Sequence, residues 1–89
     1  MTQPSADQIL KSLRRLAASE ANLSPAEADR IGRETRLAEL GMDSIAAATF
    51  VIEMEVDFKI SLPPLILFEC QTVGDVVDRI ERILAGPRG

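Results

Sequence analysis

Apolar residues recur along this chain in long runs with helical spacing, separated by short segments rich in proline, glycine and helix-capping residues. In the first run Ile9, Leu10, Leu13, Leu16 and Ala17 return every three or four positions, and Lys11, Arg14 and Arg15 fall on the other side. That period collects the apolar residues on one face of an α-helix. Ser5, followed three positions later by Gln8, is a capping-box start. The pattern predicts a helix over about residues 6–20. The last run is equally regular. Val73, Val76, Val77, Ile80, Ile83 and Leu84 form one stripe, Thr72 caps it with Asp75 three residues on, and Gly86-Pro87 stops it. Asp75 with Arg79, and Asp78 with Arg82, are spaced for i,i+4 ion pairs on the outer face.

The middle run, from Ser44 to about Phe58, carries two apolar stripes rather than one. At about 100° per residue, Ala47, Phe50, Val51, Met54 and Phe58 fall on one side. Ile45, Ala48, Ile52 and Val56 fall roughly opposite. Only one stripe can face the core of so small a bundle. The stripe with Phe50, Met54 and Phe58 buries more area and is the core side. The other is left exposed beside Glu53, Glu55 and Asp57, and an exposed apolar strip with an acidic rim suits a docking surface.

Between the first two long helices lies a long connection, Asn22 to Met42. Ser24-Pro25-Ala26-Glu27 predicts a short helical turn, with Ser24 as cap and Pro25 at the first position. Ile31, Leu37 and Leu40 are isolated apolar residues expected to pin the connection to the bundle. A loop of that length in a small domain is usually functional or partly helical. Ser61-Leu62-Pro63-Pro64 breaks the chain again, and Pro64 is expected to start a short helix through Phe68 or Glu69. No strand alternation and no internal repeat appear. The expected fold is all-α: a small four-helix bundle of three longer helices, a short third helix, and a long loop between the first two. One domain over residues 1–89 is expected, with ragged ends at about 1–4 and 86–89.

Composition narrows the chemistry. There is no histidine, which removes Ser-His-Asp and Cys-His catalysis and every histidine metal site. The single cysteine, Cys70, cannot form an internal disulfide and reads as an inert small hydrophobe. No membrane-spanning run and no apolar leader is present, so a cytoplasmic protein is expected. The charge is uneven. Residues 1–36 hold five acids and six bases, whereas residues 37–89 hold nine acids and four bases. From Glu39 to Glu69 six acids face the single base Lys59. With three Phe and no Trp or Tyr, this half has neither the cations nor the rings that nucleic acid requires. It suits a protein partner with a basic surface.

The candidate chemistry lies in Leu40-Gly41-Met42-Asp43-Ser44-Ile45. Asp43 is a helix cap, and Ser44 puts one hydroxyl on the first turn, at the positive end of the helix dipole. The segment Gly41-x-Asp43-Ser44-Ile45 resembles the attachment motif of acyl carrier proteins. Leu62-Pro63, then Leu67-Phe68-Glu69-x-x-Thr72-Val73, resembles the stretch leading into the last helix of carrier domains from polyketide and nonribosomal peptide synthases. Together they span nearly the whole chain. The resemblance implies a bundle of acyl-carrier type in which Ser44 carries a 4'-phosphopantetheine arm donated from coenzyme A. Asp43 would cap the helix and Gly41 would allow the tight turn before it. It implies a non-catalytic monomer, a substrate of a phosphopantetheinyl transferase. Acyl-loading and acyl-processing synthase enzymes with basic patches would dock on Ile45, Ala48, Ile52, Glu53, Glu55 and Val56. No nucleic acid, membrane or metal is implied. The chain departs from the pattern at Gln71, where proline is common, at Cys70, and in the run Ala46-Ala47-Ala48.

The aspartate before the serine leans toward acyl or polyketide carriers, and a peptidyl or aryl carrier of nonribosomal peptide synthesis is the alternative. From another class, a small helical interaction module without a prosthetic group would share the same helices. A hydrolase using Ser44 would lack its histidine.

Overall fold

The structure, a computed structural model, describes residues 4–86. Five α-helices follow one another: α1 (Ala6–Ala21), α2 (Pro25–Asp29), α3 (Ser44–Phe58), α4 (Ile66–Glu69) and α5 (Val73–Ala85). A single 3-10 turn, Leu37–Leu40, precedes α3. The all-α bundle expected from the hydrophobic pattern is what the chain forms. Among the described residues the one β-type feature is an isolated antiparallel bridge between Arg36 and Thr72. The ragged ends expected at about 1–4 and 86–89 lie largely outside the described residues.

The helix starts follow from their caps. At α1 the Ser5 hydroxyl accepts from the Gln8 amide at 3.2 Å, and the Gln8 side chain accepts from the Ser5 amide at 2.8 Å. The same reciprocal box closes α2 with Ser24 and Glu27. At α5 the Thr72 hydroxyl accepts from the Asp75 amide at 3.1 Å. Each box satisfies two amides that the first helical turn leaves without partners. α1 ends on Asn22 and α3 on Lys59, both in the left-handed region at φ 56°. α4 begins later than Pro64. The Pro63 carbonyl accepts from the Ile66 amide at 3.0 Å, so the prolines form a turn first, and Leu65 (φ −101°, ψ 22°) is not yet helical.

α1 packs on both α3 and α5, and α2 lies against α1. Their shared core is aliphatic with one ring: Ile9, Leu13, Phe50, Met54, Ile66, Val76, Val77 and Ile80 are almost wholly enclosed. Burial of this apolar surface is the main favourable term holding the helices together. Ile31 and Leu40 are buried and Leu37 packs against the core, so the long connection is pinned as its apolar residues indicate.

The ion pairs expected along α5 are absent among the described residues. Asp78 pairs instead with Arg33 of the long loop at 2.8 Å, and Arg79 pairs with Glu69 of α4 at 2.8 Å. Asp75 turns back over the helix start, where its carboxylate accepts from the amides of Gln71 at 3.0 Å and Thr72 at 3.1 Å. Those two backbone bonds hold its carboxyl below the usual range. An intrahelical pair is worth only about 0.2–0.5 kcal/mol, so backbone amides and partners from other elements outcompete it.

Main-chain bonds tie the long loop to the start of α5. The Leu37 amide donates to the Gln71 carbonyl, the Val73 amide to Thr35 and the Gly74 amide to Arg33, each at 2.9 Å. Gly74 is required there: a Cβ on it would sit 2.9 Å from the Arg33 carbonyl oxygen.

Candidate functional site

Ser44 is the first residue of α3 and is exposed. Three local features put it there. Leu40 is buried and anchors the 3-10 turn. Gly41 then takes φ 72°, the left-handed conformation that side chains disfavour. A Cβ at Gly41 would meet nothing within 4 Å, so conformation and not crowding explains the glycine. Asp43 is extended and caps α3, its carboxylate accepting from the Ala46 amide at 2.8 Å while its carbonyl accepts from Ala47 at 2.8 Å. The helix N-terminus beside Ser44 carries the partial positive charge of the dipole.

Two shallow grooves meet at Ser44. One, of about 170 Å³, is lined by Ser44, Ala47, Ala48, Val51, Pro64, Leu67 and Phe68. The other, of about 310 Å³, is lined by Leu37, Ala38, Met42, Asp43, Ser44, Ala47, Leu67 and Phe68. Both include Leu67 and Phe68 of α4, and the Phe68 ring is 87 % exposed. In the sequence Phe68 stands only as part of a motif, and no role follows from it. The grooves themselves leave no sequence signal, because they are assembled from the 3-10 turn, α3 and α4.

Along α3 the two stripes separate as expected. Phe50, Val51 and Met54 are buried, Ala47 and Phe58 are half-buried, and Ala48 is exposed. Ile45 is 78 %, Ile52 57 % and Val56 71 % exposed. The acids behave differently from a free rim. Glu55 is half-buried and accepts from the Leu62 amide at 2.8 Å, which staples the loop before α4 to α3. Glu53 is half-buried and meets Glu20 of α1. Asp57 pairs with Arg15 of α1 at 3.5 Å, a base that proximity in sequence does not reveal.

No histidine stands near Ser44 to act as its base, since the chain has none. Cys70 packs in the core, and burial pushes its thiol up against the opposing pull of Arg79. A thiol so held is a poor nucleophile. Among the described residues no group of three or more Asp, Glu, Cys or His side chains could hold a metal ion. No helix among them is long and apolar enough to cross a membrane.

A small helical bundle that exposes the Ser44 hydroxyl at a helix start, between two grooves lined largely by apolar residues, is suited to carrying a group. Comparison with known families agrees: residues 11–80 match the family described as phosphopantetheine attachment site, and the chain belongs to it. Proteins of this family carry 4'-phosphopantetheine covalently, and this chain is a carrier protein. The residues present fit that group. Ser44 is open to an approaching enzyme, the end of α3 favours a phosphate, and its surroundings are apolar.

Proposed function

We propose that Ser44 is the attachment residue, and that the protein presents acyl groups to the enzymes of polyketide or related secondary-metabolite biosynthesis. The observation that carries the reading is the exposed Ser44 hydroxyl on the first turn of α3, inside the segment that matches the family. Asp43 fixes that turn by capping it, Gly41 sets the direction of approach, and the helix dipole favours the anionic end of the arm. When bound, the arm supplies a terminal thiol that holds an acyl group as a thioester. The protein contributes no base and no metal; a phosphopantetheinyl transferase supplies both. The aspartate before the serine favours an acyl or polyketide carrier over a peptidyl one.

Partner enzymes dock on the exposed face of α3, with Ile45, Ala48, Ile52 and Val56 as its apolar centre and Glu53 and Glu55 at its flank. A partner with a basic rim complements that face. The chain acts as a single, cytoplasmic, monomeric carrier unit.

The test of attachment is intact mass. Incubation with coenzyme A, magnesium and a promiscuous transferase should add one phosphopantetheine, and Ser44→Ala should abolish the gain without loss of helical circular dichroism. Modification that survives in Ser44→Ala refutes the assignment.

A further inference from the structure

α4 is the wall that both grooves at Ser44 share, yet it has little hold of its own. It is a single turn, Ile66–Glu69, too short to stand as a helix without outside support. The extensive helix–helix contacts are those of α1 with α2, α3 and α5, and α4 shares in none of them. Point anchors fix it instead. Ile66 is wholly enclosed, Leu62 and Cys70 are buried on either side, and the Leu62 amide is tied to Glu55 of α3 at 2.8 Å. Anchors strung along its length fix the depth of α4 more firmly than its roll.

An ion pair acts on the roll. At about 100° per residue, Leu67 and Glu69 leave the turn on opposite flanks of Ile66. Leu67 lies on the groove side with Ala47 and Ser44. Glu69 reaches the other way to α5, where Arg79 Nη2 donates to its Oε1 at 2.8 Å. Nearby acids do not compete for Arg79. Asp75 and Asp78 line the same pocket, but Asp75 accepts from the Gln71 and Thr72 amides and Asp78 is paired with Arg33. Arg79 itself lines neither groove.

We propose that Arg79 is a positioning residue for the loading of Ser44: through Glu69 it sets the roll of α4, and so the places of Leu67 and Phe68 beside the serine. The proposal rests on attachment at Ser44. With the pair intact, an enzyme that reaches the serine meets a formed surface. Without it only a fraction of molecules present that surface, and apparent affinity falls with the fraction. A pair this exposed supports an effect of about two- to fivefold.

Glu69→Ala removes the acceptor, Arg79→Met removes the charge but keeps the stem, and Arg79→Lys keeps the charge. Two measurements on the full chain decide the matter. In transfer with coenzyme A, magnesium and a promiscuous transferase, E69A and R79M should each raise KM for the chain by that factor with kcat unchanged. The double variant should add nothing beyond the larger single effect, and R79K should stay nearer wild type. Attraction to a charged partner alone would move the two single variants in opposite directions, since one loses an acid and the other a base. The second measurement, without coenzyme A, follows labelling of Cys70, the chain's one thiol, by an aromatic disulfide, which reports how often α4 lifts. Arg79 favours the Cys70 thiolate, so its loss alone would slow labelling. Loosening of α4 should instead make R79M react faster than wild type. A wild-type chain that is never loaded would refute attachment, and the labelling would still judge the hold on α4. In a loaded chain, KM shifts of opposite sign, additive losses in the double variant, an unchanged KM, R79K as impaired as R79M, or slower labelling of R79M would each overturn the role of Arg79.

Discussion

Gly74→Ala is the substitution for which helix propensity and tertiary geometry give opposite answers. Position 74 lies in the first turn of α5, and alanine in a helix is favoured over glycine by up to about 1 kcal/mol. Its new Cβ, however, would sit 2.9 Å from the Arg33 carbonyl oxygen, 3.1 Å from Arg33 Cβ and 3.4 Å from Arg33 Cα. Relief requires the loop backbone to withdraw by several tenths of an ångström. The same carbonyl accepts the Gly74 amide at 2.9 Å, so withdrawal strains the tether as well. Forcing extra atoms into a packed contact costs roughly 1–3 kcal/mol. Set against the propensity gain, a net loss of about 1–2 kcal/mol is expected, which for a domain of this size lowers Tm by roughly 5–15 °C. Arg33→Ala should not rescue it, because the closest contact is with backbone and the next is with a Cβ that alanine keeps. Chemical unfolding of wild type, G74A and the double variant decides the matter. A G74A protein as stable as wild type would show that the loop yields freely and that the crowding argument is wrong.

Three further outcomes are expected. Ile80→Ala removes a fully buried side chain and should cost about 2–4 kcal/mol in urea unfolding; a loss below about 0.5 kcal/mol would place that face outside the core. Glu55→Ala strands the Leu62 amide and should cost about 1–3 kcal/mol, whereas Glu55→Gln retains an acceptor and should cost clearly less; equal losses would rule out the staple. Ile52→Ala or Val56→Ala should slow transfer of the arm to Ser44 with little change in stability, and the wild-type rate should fall with added salt. Insensitivity to both would place docking elsewhere.

The helices were legible because their signals are local. Ser5 with Gln8, Ser24 with Glu27, and Thr72 with Asp75 each announce a helix within four residues, and the structure forms all three boxes. The two faces of α3 were also legible, since burying Phe50 and Met54 leaves Ile52 and Val56 outside on spacing alone. What stayed hidden depends on partners distant in sequence. Glu55 reads as a surface acid until Leu62 folds beneath it, and Asp78 reads as a partner for Arg82 until the long loop brings Arg33 across. The tether between that loop and α5 is made by backbone groups, which every residue has, and its one trace in the sequence is the glycine at 74. Ser44 is the converse case: the short motif around it pointed to the residue, while the grooves flanking it needed α4 in place.

That tether has a topological consequence. It joins residues 33–37 to residues 71–74 and so closes a ring of chain containing α3, α4 and Ser44. Closing a ring of nearly 40 residues forfeits about 3 kcal/mol of chain entropy, which three main-chain bonds at about 1 kcal/mol each barely offset, so the clasp draws its margin from the seating of α5 on α1. Ring closure is therefore a late, non-local step in folding, slow to form compared with the helices it encloses. α5 contributes no residue to either groove at Ser44, yet it holds the clasp of the loop that leads into α3, the helix that begins at the serine.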